Sequence, residues 1–205
     1  MKYTHIAFDI DGTLTNSEYA VIRSLQDTLI SLKGSSPSAQ ELSFAMGIPG
    51  LEALKQLRLP DLPAAFSLWV ENLRKYTDTI TLFPGIEKLL EVLKEQGMVM
   101  GVVTSQTPEE YDEDFAHSPI APYFTILVRA GETPRPKPSP DPLLRFMELA
   151  RCRPSQVLFI GDREGDLRCA QEAGVDFALA GWGNPDRQME VDYCLERPEE
   201  LLKYL

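Results

Sequence analysis

Apolar residues fall along this chain in two rhythms, and the change from one to the other divides it. His5 to Ile10 form a short apolar run that stops at Asp11-Gly12, a strong turn signal, so a buried strand is expected with acids at its carboxyl end. From Glu18 to Lys33 the residues Ile22, Leu25, Leu29 and Leu32 trace a helical stripe, with Gly34 as the stop. Ser38 with Glu41 three residues on has the form of a capping box that opens another helix. Helical patterns also cover Leu51 to Leu57 and Asp61 to Tyr76, punctuated by Gly47, Pro49, Gly50 and Pro60. No strand-like alternation occurs between Ser17 and Thr79, which predicts an all-helical insertion.

After Pro84-Gly85 strands and helices alternate. Ile86, Leu89, Leu90 and Leu93 mark a helix ending near Gly97, and Met98 to Val103 is an apolar strand running into Thr104-Ser105. Further strands are expected at Tyr123 to Val128, Val157 to Ile160, Val175 to Ala180 and Val191 to Leu195. Helices are expected at Pro140 to Arg151, Glu164 to Ala173 and Glu199 to Tyr204, and the proline-dense stretch Thr133 to Pro142 reads as a stiff loop. Repeated strand–helix units predict an α/β fold: a Rossmann-like, mainly parallel sheet covered on both faces. Residues 1–16 and 80–205 would form this core, and 17–79 the helical insertion.

Composition narrows the class. With 205 residues, 43% of them hydrophobic and 25% charged, the chain suits one α/β domain carrying a smaller insertion. No window approaches the roughly 20 apolar residues of a membrane span, so a soluble, cytoplasmic protein is the expectation. Cys152, Cys169 and Cys194 are widely separated and show no CxxC spacing, which suggests neither disulfides nor a zinc site. A net charge of −11 opposes binding to nucleic acid or anionic membranes. An anionic substrate would therefore need a metal ion and well-placed basic groups to overcome that field.

Several strand ends deliver the groups for such chemistry: Asp9 and Asp11, then Thr104, then Lys137 in a loop, then Asp162 and Asp166. In open parallel sheets these ends share one edge, where ligands bind. A carboxylate nucleophile and an anionic phosphate repel one another unless a cation neutralises both. Magnesium accepts two or three carboxylates and keeps several waters, so this set suffices.

The segments DIDGTLT at Asp9 to Thr15, VVTS at Val102 to Ser105, RPKPSPDP at Arg135 to Pro142 and GDREGD at Gly161 to Asp166 resemble, in order, the four motifs of the haloacid dehalogenase superfamily. The resemblance implies that Asp9 attacks phosphorus to form an aspartyl phosphate and also binds magnesium. Asp11 would protonate the leaving oxygen and then activate water, and its main-chain carbonyl would be a further metal ligand. Thr104 would hold the phosphoryl oxygens, with Ser105 as the alternative, and Lys137 would pair with both the phosphate and Asp9. Asp162 would ligate magnesium, and Asp166 would ligate it or orient a bound water. An aspartate at the position of Asp11 is similar to the superfamily's phosphatases and unlike its dehalogenases.

The helical insertion resembles the superfamily's helical cap, which implies a small phosphorylated metabolite as substrate and excludes macromolecules. The chain is most similar to phosphoglycolate phosphatases and related pyrophosphate-cleaving enzymes, to which Gly181-Trp182-Gly183 adds weak support. Sugar-phosphate mutases carry a histidine near the start of the cap, whereas here the stretch reads Asn16-Ser17-Glu18-Tyr19-Ala20-Val21, and His5 and His117 lie outside it. Arg163 stands where relatives carry a small residue; it could contact substrate, crowd the metal site or turn outward. Arg23, Lys55, Arg58, Arg74 and Lys75 are the cap cations that could hold a second anionic group. A monomer or weak dimer is expected.

Overall fold

Every residue of Val157–Gly161 is buried, and such a run can only be a strand covered on both faces. The computed structural model describes residues 2–184 and 189–205 and places this strand, β6, in a six-stranded sheet. Met1 and residues 185–188, which the sequence reading assigns to the core, lie outside the described residues. The sheet's other members are β1 (His5–Phe8), β4 (Val99–Val103), β5 (Ile126–Val128), β7 (Asp176–Ala180) and β8 (Tyr193–Leu195). Their order is β5-β4-β1-β6-β7-β8 and every pair is parallel. The expected α/β fold with a parallel, Rossmann-like sheet is therefore observed.

The two-residue period of a strand divides its side chains between two cores. Ile6, Phe8, Met100, Val102, Leu158 and Ile160 face one, against the stripe Ile86, Leu89, Leu90 and Leu93 of α5 (Ile86–Glu95). Burying each such side chain contributes about 1.5–3 kcal/mol, so this helix is fixed by packing. Ala7, Val103, Val157, Phe159 and Phe177 face the other, under α7 (Asp141–Ala150) and α8 (Glu164–Ala173).

A third apolar cluster lies wholly within residues 22–69, where α1 (Glu18–Lys33), α2 (Ala39–Leu42), α3 (Gly50–Gln56) and α4 (Leu62–Leu73) pack together. The helix α1 ends at Gly34 in the left-handed conformation, and Ser38 and Glu41 form the reciprocal capping box read from the sequence. Trp69 Nε1 donates to Ser24 Oγ at 2.9 Å and Asn72 Nδ2 to Thr28 Oγ1 at 2.9 Å, which satisfies the polar groups buried between α1 and α4. A short antiparallel ribbon, β2 (Thr15–Asn16) with β3 (Thr81–Leu82), ties together the two ends of this helical segment.

Two elements depart from the expectations. A helix α6 (Pro108–Asp114) follows β4, opened by a capping box of Thr107 and Glu110, and the last expected helix is a 3-10 turn over Pro198–Lys203. Among the described residues no helix is long and apolar enough to cross a membrane, and the three cysteines are free.

Candidate active site

Strand order determines what meets at the carboxyl edge. β1 lies between β4 and β6, so the segments leaving these three strands emerge side by side, at the point where the sheet's winding reverses. They bring Asp9 and Asp11, then Thr104 to Gln106, then Asp162 and Asp166 to one place, and the loop before α7 adds Lys137.

Asp9, Asp162 and Asp166 each offer a carboxylate oxygen within 4.8 Å of the others, and all three are buried. Two cations answer them, Lys137 and Arg163. Lys137 Nζ donates to Asp9 Oδ1 at 2.7 Å, to Asp166 Oδ1 at 2.6 Å and to the carbonyl of Val103 at 3.3 Å. Asp166 Oδ2 accepts from the Arg163 backbone N–H at 3.1 Å, an N-terminal cap on α8. Asp9 Oδ2 and both oxygens of Asp162 are buried without a hydrogen-bond partner. Arg163 lies close to one of these, Asp162 Oδ2, without making a hydrogen bond, and buried carboxylate oxygens left without partners are costly, so Asp9 Oδ2 and Asp162 Oδ1 suit a bound cation.

Electrostatics carries the same message. Burial lifts the Asp9 carboxyl to about 7 against the pull of Lys137, with Asp166 and Asp11 adding to the rise. Burial also raises Asp162 well above the carboxylate range, although the guanidinium of Arg163 pulls the other way. Lys137 loses hydration on burial, yet Asp166 and Asp9 outweigh that loss and hold it protonated beyond the ordinary lysine value. Stability follows from these directions. With Asp9 and Asp162 shifted up, the native metal-free protein retains protons that the unfolded chain releases above about pH 4. Its stability should fall as pH rises from about 4 through 7, and thermal melts in chelator should give a higher Tm at pH 5 than at pH 8. A flat profile would contradict the buried acid cluster.

The Asp11 side chain belongs to a different set. Ser17 Oγ donates to its Oδ1 at 2.6 Å and Gln106 Nε2 to its Oδ2 at 2.9 Å. Burial raises its pKa, and those two hydrogen bonds offset part of the rise. The carboxyl is thereby fixed in direction next to Asp9 but outside the three-acid cluster.

Thr104 is buried, with its Oγ1 accepting from the Gln106 backbone N–H at 3.1 Å, whereas Ser105 and Gln106 line the cavity above Asp9. Ser105 Oγ donates to the carbonyl of Gly47, a contact from the core to the helical segment. Arg163 lies between two acids, its Nε 2.8 Å from Asp162 Oδ2 and its Nη2 3.6 Å from Glu18 Oε2. Trp182 Nε1 donates to the carbonyl of Thr13 at 2.9 Å, so the Gly181 to Gly183 turn braces the turn that follows Asp9. Neither His5 nor His117 lines the cavity.

Gln106, Ser17, Glu110 and Asp114 are site residues that the sequence reading does not single out. The box Thr107–Glu110 was visible as a capping pattern and would have placed a helix, and hence two acids, directly after β4. For Gln106 no signal existed.

The cavity between the sheet edge and the helices has a volume of about 70 Å³. None of Arg23, Lys55, Arg58, Arg74 and Lys75 lines it. Arg74 instead bonds Glu113 on the surface at 2.5 Å, Lys75 bonds Asn72 at 2.6 Å, and Arg23 lines a separate groove with Glu18 and Gln26.

Known proteins resemble this chain over most or all of its length. The sequence profile of the haloacid dehalogenase-like hydrolases matches residues 6–180. The phosphoglycolate phosphatase of Aquifex aeolicus is 29% identical over 98% of this chain and 95% of its own length. The pyrophosphatase PpaX of Bacillus velezensis is 25% identical, with the same coverage of both chains. A crystal structure from Lactobacillus plantarum, provisionally described as a phosphoglycolate phosphatase, superposes with a TM-score of 0.89 at 31% identity, covering both chains fully.

Proposed function

Because the chain belongs to the haloacid dehalogenase-like hydrolase family, we propose that it is a magnesium-dependent phosphatase that hydrolyses a small phosphorylated metabolite through an aspartyl phosphate on Asp9. The observation that carries this reading is the buried trio Asp9, Asp162 and Asp166, which Lys137 and Arg163 together leave one charge short of neutrality.

The donors fit a hard divalent ion: three carboxylates, with the main-chain carbonyl of Asp11 as a further oxygen. When bound, magnesium would neutralise the site and polarise a phosphoryl oxygen. Asp9 attacks the phosphorus, breaking the bond to the leaving oxygen and forming the acyl phosphate. Asp11, raised in pKa and held by Ser17 and Gln106, keeps the proton which that oxygen needs, then accepts one from the attacking water. Lys137 steadies Asp9 and the transferring charge. Thr104 Oγ1, which accepts from the Gln106 N–H, keeps its hydroxyl hydrogen for a phosphoryl oxygen, whereas Ser105 gives its own to the Gly47 carbonyl.

Residues 17–79 act as the cap, and the cavity they close admits a metabolite and no macromolecule. Phosphoglycolate and pyrophosphate, named for the relatives, are compounds of the right size. A mutase reading lacks support, because Ser17 and not a histidine holds Asp11.

The test is release of inorganic phosphate from a panel of small phosphate esters. Turnover should appear with magnesium and vanish in chelator. Equal release in both conditions would remove the metal from the reading.

A further inference from the structure

We infer that the preferred substrate has a leaving group that is uncharged or cationic, with an apolar body, and not one bearing a carboxylate or second phosphate. The inference rests on the phosphatase reading and deepens it by naming the substrate class. The cavity over Asp9 and Asp11 is walled on the cap side by Val21, Met46, Ile48, Phe66, Trp69 and Leu73, none of which can compensate an anion. The core side contributes Ser105, Gln106 and two acids of α6, Glu110 and Asp114. Among the described residues no lysine or arginine lines this space. Arg163, which lies beside the lining residue Gly47, is tethered between Glu18 and Asp162.

A phosphate seated at Asp9 is served by Lys137 and the metal, but the rest of the substrate must lie in this lining. A carboxylate there would shed water against Phe66 and Trp69 and meet Glu110 and Asp114, with no counter-charge. The lining acids already resist ionisation: burial, then the charges of Asp11 and Glu110, push Asp114 up to about 7. A hydroxyl or ammonium group reverses each of these terms. It donates to Glu110 or Asp114, while the carbon skeleton covers the aromatic walls, which also attract a cation.

Three phosphate monoesters with one two-carbon skeleton isolate the terminal group: 2-hydroxyethyl phosphate, O-phosphoethanolamine and 2-phosphoglycolate. They are assayed with magnesium beside pyrophosphate, and p-nitrophenyl phosphate serves as the reference for phosphatase activity itself. The kcat/KM for the hydroxyl and ammonium compounds should exceed that for phosphoglycolate and pyrophosphate by roughly tenfold or more. The double variant Glu110→Gln, Asp114→Asn should narrow that ratio. Glutamine preserves the capping box with Thr107 and asparagine preserves shape. Hydrolysis of p-nitrophenyl phosphate with phosphoglycolate or pyrophosphate equal or ahead overturns the inference alone. A ratio untouched in the double variant also overturns it, since the acids would not be its cause. No release from any compound, the reference included, overturns the phosphatase reading and the inference with it.

Discussion

Asp9→Asn should abolish phosphate release, by about 10⁴-fold or more, and leave the fold in place. The amide nitrogen cannot attack phosphorus, and the amide oxygen is a poor nucleophile at any accessible pH. The substitution is otherwise gentle. Asparagine retains the shape of the side chain and an acceptor for Lys137 Nζ, now 2.7 Å from Asp9 Oδ1. It also removes one negative charge from a cluster that Lys137 and Arg163 balance incompletely, so the metal-free variant should melt no lower than the parent. Phosphate release and a thermal melt on one preparation check both halves. Turnover at the parent's rate in a well-folded variant would mean that another group receives the phosphoryl.

Lys137→Met should carry the largest effect on stability. Lys137 is the cation that touches both Asp9 and Asp166, and its own side chain is 1% exposed. Methionine fills similar space and leaves the acids without their counter-charge. Removing one partner of a buried ion pair costs about 3–5 kcal/mol, and here one removal strips two acids. Urea unfolding in chelator should show a loss of that size. In magnesium the loss should be smaller, because bound metal replaces part of the missing positive charge. A loss below about 1 kcal/mol in both conditions, the value of an exposed pair, would deny Lys137 this role. Activity should fall with it, since Asp9 loses the group that fixes its orientation.

The acids and Lys137 could be read from sequence because each interrupts a strong pattern. Asp9 and Asp11 end an apolar run, Asp162 ends another, and Lys137 stands between prolines. Burial of the flanking residues makes such interruptions costly, and cost makes them conspicuous. The helix α6 is marked in the sequence only by its capping box at Thr107 and Glu110, because PEEYDED places only Tyr111 in the core and shows no apolar stripe. With it, Glu110 and Asp114 escape the sequence reading. The ribbon β2–β3 is two residues on each side, too short for alternation to register. Gln106 and Ser17 reach Asp11 across 95 and six positions, and only the folded chain reveals that they share a carboxylate. The cap cations were visible as residues, but their direction depends on how α1 and α4 rotate against the sheet.

The position of β1 matters before the protein is finished. It precedes the other strands of its sheet in the chain but sits in the middle of that sheet, with residues 99–103 on one side and 157–161 on the other. A chain emerging from the ribosome must carry Ile6 to Phe8 unpaired until residues 99–103 are made, and half-paired until residues 157–161 are. Asp162 and Asp166 arrive later still, and the Trp182 brace on Thr13 comes after them. A side chain at Gly183 would overlap the carbonyl of Gly12, so that last turn must seat against the first one without a Cβ between them. A nascent chain that stops short of residue 166 thus holds Asp9 without its two partner acids, and the acid cluster comes into being only after β6 has paired.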